Sequence, residues 1–211
     1  MLRSTENTES RSETGSTKAY YERNAQQYFE STVDADMSAL YERFLAYVPT
    51  SGRILDAGSG SGRDTLAFLK RGYDVNAFDK SPALAALSTR LTGVGTQVKG
   101  FEHLEETLRY DAIWACAALL HVPENDLPGI MIRMTRALRP GSALYVSFKH
   151  GRGERLAVDG RRFTDLDEPG LRDLIESTNG LQLREIWITH GEDNFKGHGS
   201  WVNAIALKSE A

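Results

Sequence analysis

Between Ile54 and Arg63 the chain reads Ile-Leu-Asp-Ala-Gly-Ser-Gly-Ser-Gly-Arg, with glycines at 58, 60 and 62. Glycine at every second position lets a backbone turn tightly and lets a ligand approach it closely. The spacing is G-x-G-x-G, not the G-x-G-x-x-G of dinucleotide loops, which disfavours a nicotinamide-dependent dehydrogenase. Asp56 stands two residues before the first glycine. Beside a pyrophosphate its carboxylate would add like-charge repulsion; beside an ammonium it is favourable. S-adenosylmethionine has an α-ammonium, a carboxylate and a sulfonium but no phosphate. Asp56 suits its ammonium, and backbone N–H groups at the next helix start suit its carboxylate. Asp79, 17 residues beyond Gly62, stands where an acceptor for ribose hydroxyls is needed. Capping of a helix near Pro82 is the alternative reading of Asp79.

A second group of residues could serve a substrate. His121 lies in Leu-Leu-His-Val-Pro after an apolar run, and could either deprotonate an acceptor at neutral pH or shape a wall. Lys149, His150, Arg152, Arg155, Arg161 and Arg162 place six cationic or titratable groups within 14 residues. They suit an anionic acceptor, with Arg161 and Arg162 as the forks that would orient it. Interleaved Glu154, Asp159 and Asp165 equally suit a solvated loop. Tyr20, Tyr21 and Tyr28 could fold over a ligand as a lid or form a packing stripe. Cys116 reads as a small apolar residue, since no Cys–His pairing is visible. No clustered ligands suggest a metal.

These residues need elements to hold them. Apolar positions at Met37, Leu40, Tyr41, Phe44, Leu45 and Val48 fit a helix ended by Pro49. Strands are predicted at 53–57, 74–78, 96–99, 110–117 and 143–148, with helices at 63–71, 82–91 and 127–138, the last stopping at Pro140-Gly141. A helix at 171–178 and two alternating runs, 183–189 and 201–207, follow. Alternating apolar strands and helices imply an α/β, Rossmann-like, doubly wound sheet of seven mainly parallel strands with helices on both faces. The last two strands, lacking an intervening helix, should pair antiparallel at one edge.

Composition bounds the rest. The 211 residues are 40% hydrophobic and 26% charged, enough for one well-buried domain. Residues 1–17 contain eleven Ser, Thr or Glu and read as a disordered tail before a single domain over 18–211, whose N-terminal helical cap covers 18–48. One cysteine, no signal-like apolar core and no span of about 20 apolar residues point to a cytoplasmic protein without membrane contact. A net charge of −4 and a pI near 5.8 argue against nucleic acid as a partner. A monomer or weak dimer is expected.

Residues 20–208 resemble the class I S-adenosylmethionine-dependent methyltransferases. The resemblance rests on LDAGSGSGRD (55–64), FDKS (78–81), YDAIWACAALLHVP (110–123) and RALRPGSALYVSF (136–148). FKHGRGERLAVDGRRFTD (148–165) and SWVNAIALK (200–208) resemble the small tellurite-resistance-like and small-molecule group. The resemblance implies that Gly58, Gly60 and Gly62 line the methionine and ribose portion of the cofactor, with Ala57, Ser59 and Arg63 of the same loop also against it, and that Asp79 binds its ribose. Lys80 and Ser81 would follow beside adenine, and Cys116 and Ala117 would end a strand beneath the methionine. The family often has an acid after the third strand; here Phe101 would pack on adenine, or serve only the core, while Glu102 or a backbone carbonyl supplies the polar contact. Tyr20 and Tyr28 are further candidates against the cofactor. The implied activity is methyl transfer by in-line displacement to a small-molecule or oxyanion acceptor, leaving S-adenosylhomocysteine. An RNA methyltransferase using the basic loop, or a non-catalytic cofactor-binding module, are the alternatives.

Overall fold

The computed structural model describes residues 17–190 and 199–210, so the expectation for the N-terminal tail falls outside it except at Thr17, which opens a helix. Two helices lead: α1 (Thr17–Thr32), kinked at Asn24, and α2 (Ser38–Leu45). Strands and helices then alternate as β1 (Arg53–Ala57), α3 (Arg63–Lys70), β2 (Asp74–Asp79), α4 (Pro82–Thr92) and β3 (Thr96–Val98). Next come β4 (Tyr110–Ala115), α5 (Leu127–Ala137) and β5 (Leu138–Lys149). The chain continues through β6 (Gly153–Leu156), β7 (Arg162–Asp165), α6 (Glu168–Glu176), β8 (Leu181–His190) and β9 (Ser200–Lys208).

Seven strands form one sheet in the order β3-β2-β1-β4-β5-β9-β8. The first five pair parallel, while β9 runs antiparallel to both β5 and β8. The sheet is the doubly wound one expected, closed at one edge by the antiparallel pair. Its order reverses at β1, between β2 and β4, and a ligand crevice opens beyond the carboxyl ends of strands at such a point.

Both faces are covered because neighbouring strand residues point opposite ways. Leu55, Ile113 and Leu144 pack with Met131, Met134 and Leu171 on one side. Ile54, Trp114 and Tyr145 pack with Tyr41, Phe44 and Phe68 on the other. Trp114 and Tyr145 stack at 3.9 Å between ring centroids, within a planar angle of 12°.

Two local expectations change. Helix α5 ends at Ala137, and Pro140-Gly141 falls instead in an irregular start of β5, where the register with β4 shifts. A bulge accommodates proline's missing N–H, and Gly141 takes a positive φ of 74° there. The basic segment after β5 is not an irregular loop. β6 and β7 pair as an antiparallel hairpin, closed where Asp159-Gly160 turns with Gly160 at φ 87°.

Candidate active site

The glycine loop leaves β1 and is tied to β2 before any ligand is considered. The N–H groups of Gly58 and Ser59 both donate to the Phe78 carbonyl at 2.9 Å. Asp79, ending β2, accepts from Gly60 N–H through Oδ2 at 2.9 Å and from Ser81 N–H through Oδ1 at 2.8 Å. Gly58 takes φ 83°, and a Cβ there would lie 2.6 Å from the Ala118 methyl, so both backbone angle and space demand glycine. Asp79 is 8% exposed and its carboxyl is raised by burial, the two backbone donors acting against that rise. Helix α4 is capped by Ser81, whose Oγ accepts from Leu84 N–H, so capping is not the task of Asp79.

A cavity of 1120 Å³ opens over this loop. One end is bordered by Gly58, Gly60, Asp79, Leu84, Phe101 and Glu102. Phe101 stands edge-on to Phe78 at 5.2 Å, making an apolar wall, and Lys80 reaches across to Glu102 at 2.8 Å. These residues fit a nucleoside: an acceptor for a diol at Asp79 and a flat apolar surface at Phe101. Ser59 Oγ is buried without a hydrogen-bond partner among the described residues, which adds an unused polar group to the loop.

Asp56 is placed differently from the expectation that it faces an ammonium. It is 2% exposed, lies beneath the loop and accepts from Thr65 Oγ1 at 2.6 Å, and it does not border the cavity. Burial, then the charge of nearby Asp64, raises its carboxyl. Asp64 is held low despite its own burial, because Arg63 forks onto it at 2.6 and 3.0 Å while Tyr41 Oη and Trp114 Nε1 donate to it. The two acids thus anchor β1, α2, α3 and β4 under the loop. The reason lies in the strand: Ile54, Leu55, Asp56 and Ala57 are all buried, so Asp56 has no path to the crevice.

At the other end of the cavity stand Tyr21, Tyr28, Ala117, Ala118, His121 and Arg162. Helix α1 arches over the crevice and is fastened along its length. Thr17 Oγ1 accepts from Arg162 N–H at 2.9 Å, Glu22 accepts from Ser81 Oγ, and the Tyr28 ring covers Gly60. Tyr21 Oη lies 2.8 Å from His121 Nε2, and His121 Nδ1 lies 2.7 Å from the Arg162 carbonyl oxygen. Burial, then the Arg161 and Arg155 charges, push His121 down to about 4. At neutral pH the ring is therefore uncharged.

The hairpin arginines are engaged with acids. Arg161 forks onto Asp159 at 3.0 and 2.7 Å and lies 4.2 Å over the Tyr20 ring. Arg162 reaches Glu154 at 2.9 Å, Arg155 pairs with Asp165, and Arg152 pairs with Asp167. Of the residues singled out in the sequence, Ala57, Ser59, Gly62, Arg63, Cys116 and Tyr20 do not border the cavity, in addition to Asp56, and of the basic segment neither Lys149, His150, Arg152, Arg155 nor Arg161 does. Gly62 packs on Ser88 at the start of α3, and the Cys116 thiol is pushed up to about 12 by burial, then by Asp64. Ala118, Ile130 and Arg133 line the cavity without having been singled out; the helical period of α5 alone marks Ile130 as core, not as a wall. Among the described residues no cluster of three or more His, Cys, Asp or Glu is placed to hold a metal.

Comparison with known proteins bears on this geometry. The methyltransferase-domain family matches residues 29–210. A ubiquinone biosynthesis O-methyltransferase of Xylella fastidiosa is 36% identical over 109 residues, 47% of this chain and 43% of the relative. One from Xanthomonas oryzae pv. oryzae is 35% identical over 103 residues, covering 45% and 42%. The chain thus matches less than half the length of these curated relatives. Among solved structures, the 1,6-didemethyltoxoflavin-N1-methyltransferase of Burkholderia thailandensis, bound to 1,6-didemethyltoxoflavin and S-adenosylhomocysteine, superposes with a TM-score of 0.76 at 19% identity, covering 100% of this chain and 93% of that one. An S-adenosylmethionine-dependent methyltransferase from Methanosarcina mazei gives 0.71 at 20% identity, covering 81% and 99%. The chain belongs to the methyltransferase-domain family and carries the fold of the class I S-adenosylmethionine-dependent methyltransferases.

Proposed function

We propose that this protein transfers a methyl group from S-adenosylmethionine to a small-molecule acceptor. The observation that carries this reading is one continuous cavity of 1120 Å³ that runs from Asp79 and Phe101 to Tyr21, His121 and Arg162. Asp79 would hold the ribose, Phe101 the adenine and the glycine-loop backbone the amino-acid end. When bound, the cofactor supplies an electrophilic methyl on a sulfonium. The chain's own residues orient the partners and exclude water, which supplies much of the acceleration in such a displacement. Tyr28 over Gly60, and α1 fastened at Thr17 and Glu22, perform that exclusion.

The names of the relatives support a small acceptor. One is named as a ubiquinone biosynthesis O-methyltransferase, and the other is a 1,6-didemethyltoxoflavin-N1-methyltransferase with that small molecule bound. The pairing of Arg152, Arg155, Arg161 and Arg162 with Asp or Glu removes the support that a basic run would lend to RNA phosphates or to an oxyanion. No helix among the described residues is long and apolar enough to cross a membrane. Calorimetry with S-adenosylhomocysteine, then incubation of the full chain with methyl-labelled cofactor and cell extract, tests the reading. Stabilisation by NADH with no response to S-adenosylhomocysteine would overturn it.

A further inference from the structure

The contacts of His121 decide its tautomer. A carbonyl oxygen only accepts, so Nδ1, 2.7 Å from the Arg162 carbonyl, carries the ring's proton. In the uncharged ring Nε2 is then bare, and the Tyr21 hydroxyl 2.8 Å away must donate to it. That fixes what Tyr21 offers the cavity. Its proton is turned toward His121 and Arg161 donates to its oxygen, which leaves one lone pair to accept. The ring is held by neighbours on three sides: Tyr20 at 5.3 Å, Tyr28 at 5.1 Å and His121 at 5.4 Å, all edge-on. The Arg161 guanidinium lies beside the hydroxyl and opposes the rise that burial imposes on it.

We propose that Tyr21 is the catalytic residue that takes the acceptor's proton, that His121 is the positioning residue behind it, and that the acceptor is a neutral O–H or N–H group. The proposal rests on the methyl-transfer reading above. An oxyanion placed against this pair would meet a lone pair rather than a donor, whereas a protic group finds an acceptor already aimed at it. The step balances. The acceptor atom forms its bond to the methyl carbon, the carbon–sulfur pair stays with sulfur, and the acceptor's proton passes to Tyr21 Oη. Tyr21's own proton moves to His121 Nε2, and the transient imidazolium returns it through Tyr21 to water once product leaves. The Arg162 carbonyl, fixed in β7, steadies the imidazolium through Nδ1.

Charged and titratable groups facing the pair come from several elements. Arg161, Asp79 and Tyr20 face Tyr21; Arg161, Asp159 and Arg155 face His121. None of these offers His121 a competing carboxylate contact, and Asp159 is taken up by Arg161.

The test uses the full chain saturated with S-adenosylhomocysteine, and nitrogen-15 histidine spectra of wild type and Tyr21→Phe. The expected wild-type His121 has a protonated Nδ1 and a bare, hydrogen-bonded Nε2, and Tyr21→Phe shifts only the Nε2 signal. Kinetics follow with catechol as a protic probe. Tyr21→Phe should lose about a hundredfold in kcat at neutral pH, within the range for acid–base catalysis, with cofactor affinity unchanged. The lost rate should return as pH rises and catechol ionises by itself, which a merely structural role would not produce. His121→Gln, which keeps an acceptor for the Tyr21 hydroxyl but cannot take its proton, should lose turnover as Tyr21→Phe does and recover it likewise as pH rises. A protonated Nε2 in wild type, a spectrum indifferent to Tyr21→Phe, or a Tyr21→Phe enzyme whose pH profile matches wild type overturns the assignment. Failure of the wild type to bind S-adenosylhomocysteine would instead remove the methyl-transfer reading on which it stands.

Discussion

Asp79→Asn separates the two tasks that one buried carboxylate performs. In the protein as it stands Asp79 accepts from Gly60 N–H and Ser81 N–H, at 2.9 and 2.8 Å. Asparagine keeps one acceptor oxygen but turns an NH2 toward the other backbone donor, so one charged hydrogen bond is lost and two donors confront each other. A hydrogen bond to a charged group is worth about 1.5–3 kcal/mol, so the free protein should lose roughly that much. For a chain of this size that corresponds to a fall in Tm of roughly 3–12 °C. If a ribose hydroxyl also donates to the carboxylate, a similar amount leaves the binding free energy, and Kd for S-adenosylhomocysteine should rise by about one to two decades. Calorimetry well below the lowered Tm measures that rise apart from unfolding. The discriminating ligand is the 2′-deoxy analogue. Wild type should lose affinity on losing the hydroxyl, while Asp79→Asn should hardly notice, because the partner is already gone. A folded Asp79→Asn with wild-type affinity, or one as sensitive to the deoxy analogue as wild type, would refute the ribose assignment.

Other perturbations follow from named contacts. Gly58→Ala should cost about 1–3 kcal/mol from overpacking alone and abolish tight cofactor binding, since its Cβ meets Ala118 at 2.6 Å; Ala118→Gly should restore part of the Tm. Asp64→Ala should cost about 3–5 kcal/mol in urea unfolding, because it takes the carboxylate away from the buried Arg63 guanidinium and from the Tyr41 and Trp114 donors. Arg162→Ala should leave turnover nearly intact: its guanidinium rests on Glu154, and what it gives the site is its backbone carbonyl. His121 is pushed down to about 4 in the fold against about 6.5 when unfolded, so its contribution is complete above pH 6.5 and is lost as pH falls toward 4. Across that window the unfolded chain takes up a proton that the folded one refuses, and stability should drop by up to about 1.4 kcal/mol per pH unit. Urea midpoints from pH 4 to 8 should flatten in His121→Gln.

How much of this was legible in the sequence depended on how local the cause was. The strands and helices around the glycine loop carry their own periodicity, caps and breakers, so β1, α3, β2 and α4 fall within a residue or so of their predicted bounds. That Gly58, Gly60 and Asp79 stand at strand ends beside a crevice was readable, because backbone geometry and position at a strand end are short-range properties. Asp56 was misplaced because the sequence shows which residue precedes the loop but not which way it points. Its neighbours Ile54, Leu55 and Ala57 are all buried, and in a doubly covered sheet a strand residue can face the core on either side. The hairpin had a signal that went unused: Asp159-Gly160 between two alternating runs. The six basic groups and the interleaved Glu154, Asp159 and Asp165 left an anion site and a solvated loop equally open, because composition does not show which acid each arginine reaches; the fold pairs Arg155 with Asp165, Arg161 with Asp159 and Arg162 with Glu154.

The Tyr21–His121–Arg162 chain is the part that no local signal could reveal. Its members lie on α1, in the turn after β4 and on β7, and |i−j| between the first two is 100. Each residue has an ordinary reading alone: an aromatic on a helix, a histidine in a wall, an arginine in a basic run. Juxtaposition changes the chemistry of all three. Burial denies His121 its charge, the Arg162 carbonyl chooses which ring nitrogen stays bare, and that choice turns the Tyr21 proton away from the cavity. Thr17 binds the Arg162 N–H while His121 binds the carbonyl of the same residue, so one hairpin position joins the covering helix to the acceptor wall. Residue 162 is thus held on both sides, by α1 through its N–H and by the His121 ring through its carbonyl, and the same ring receives the Tyr21 proton.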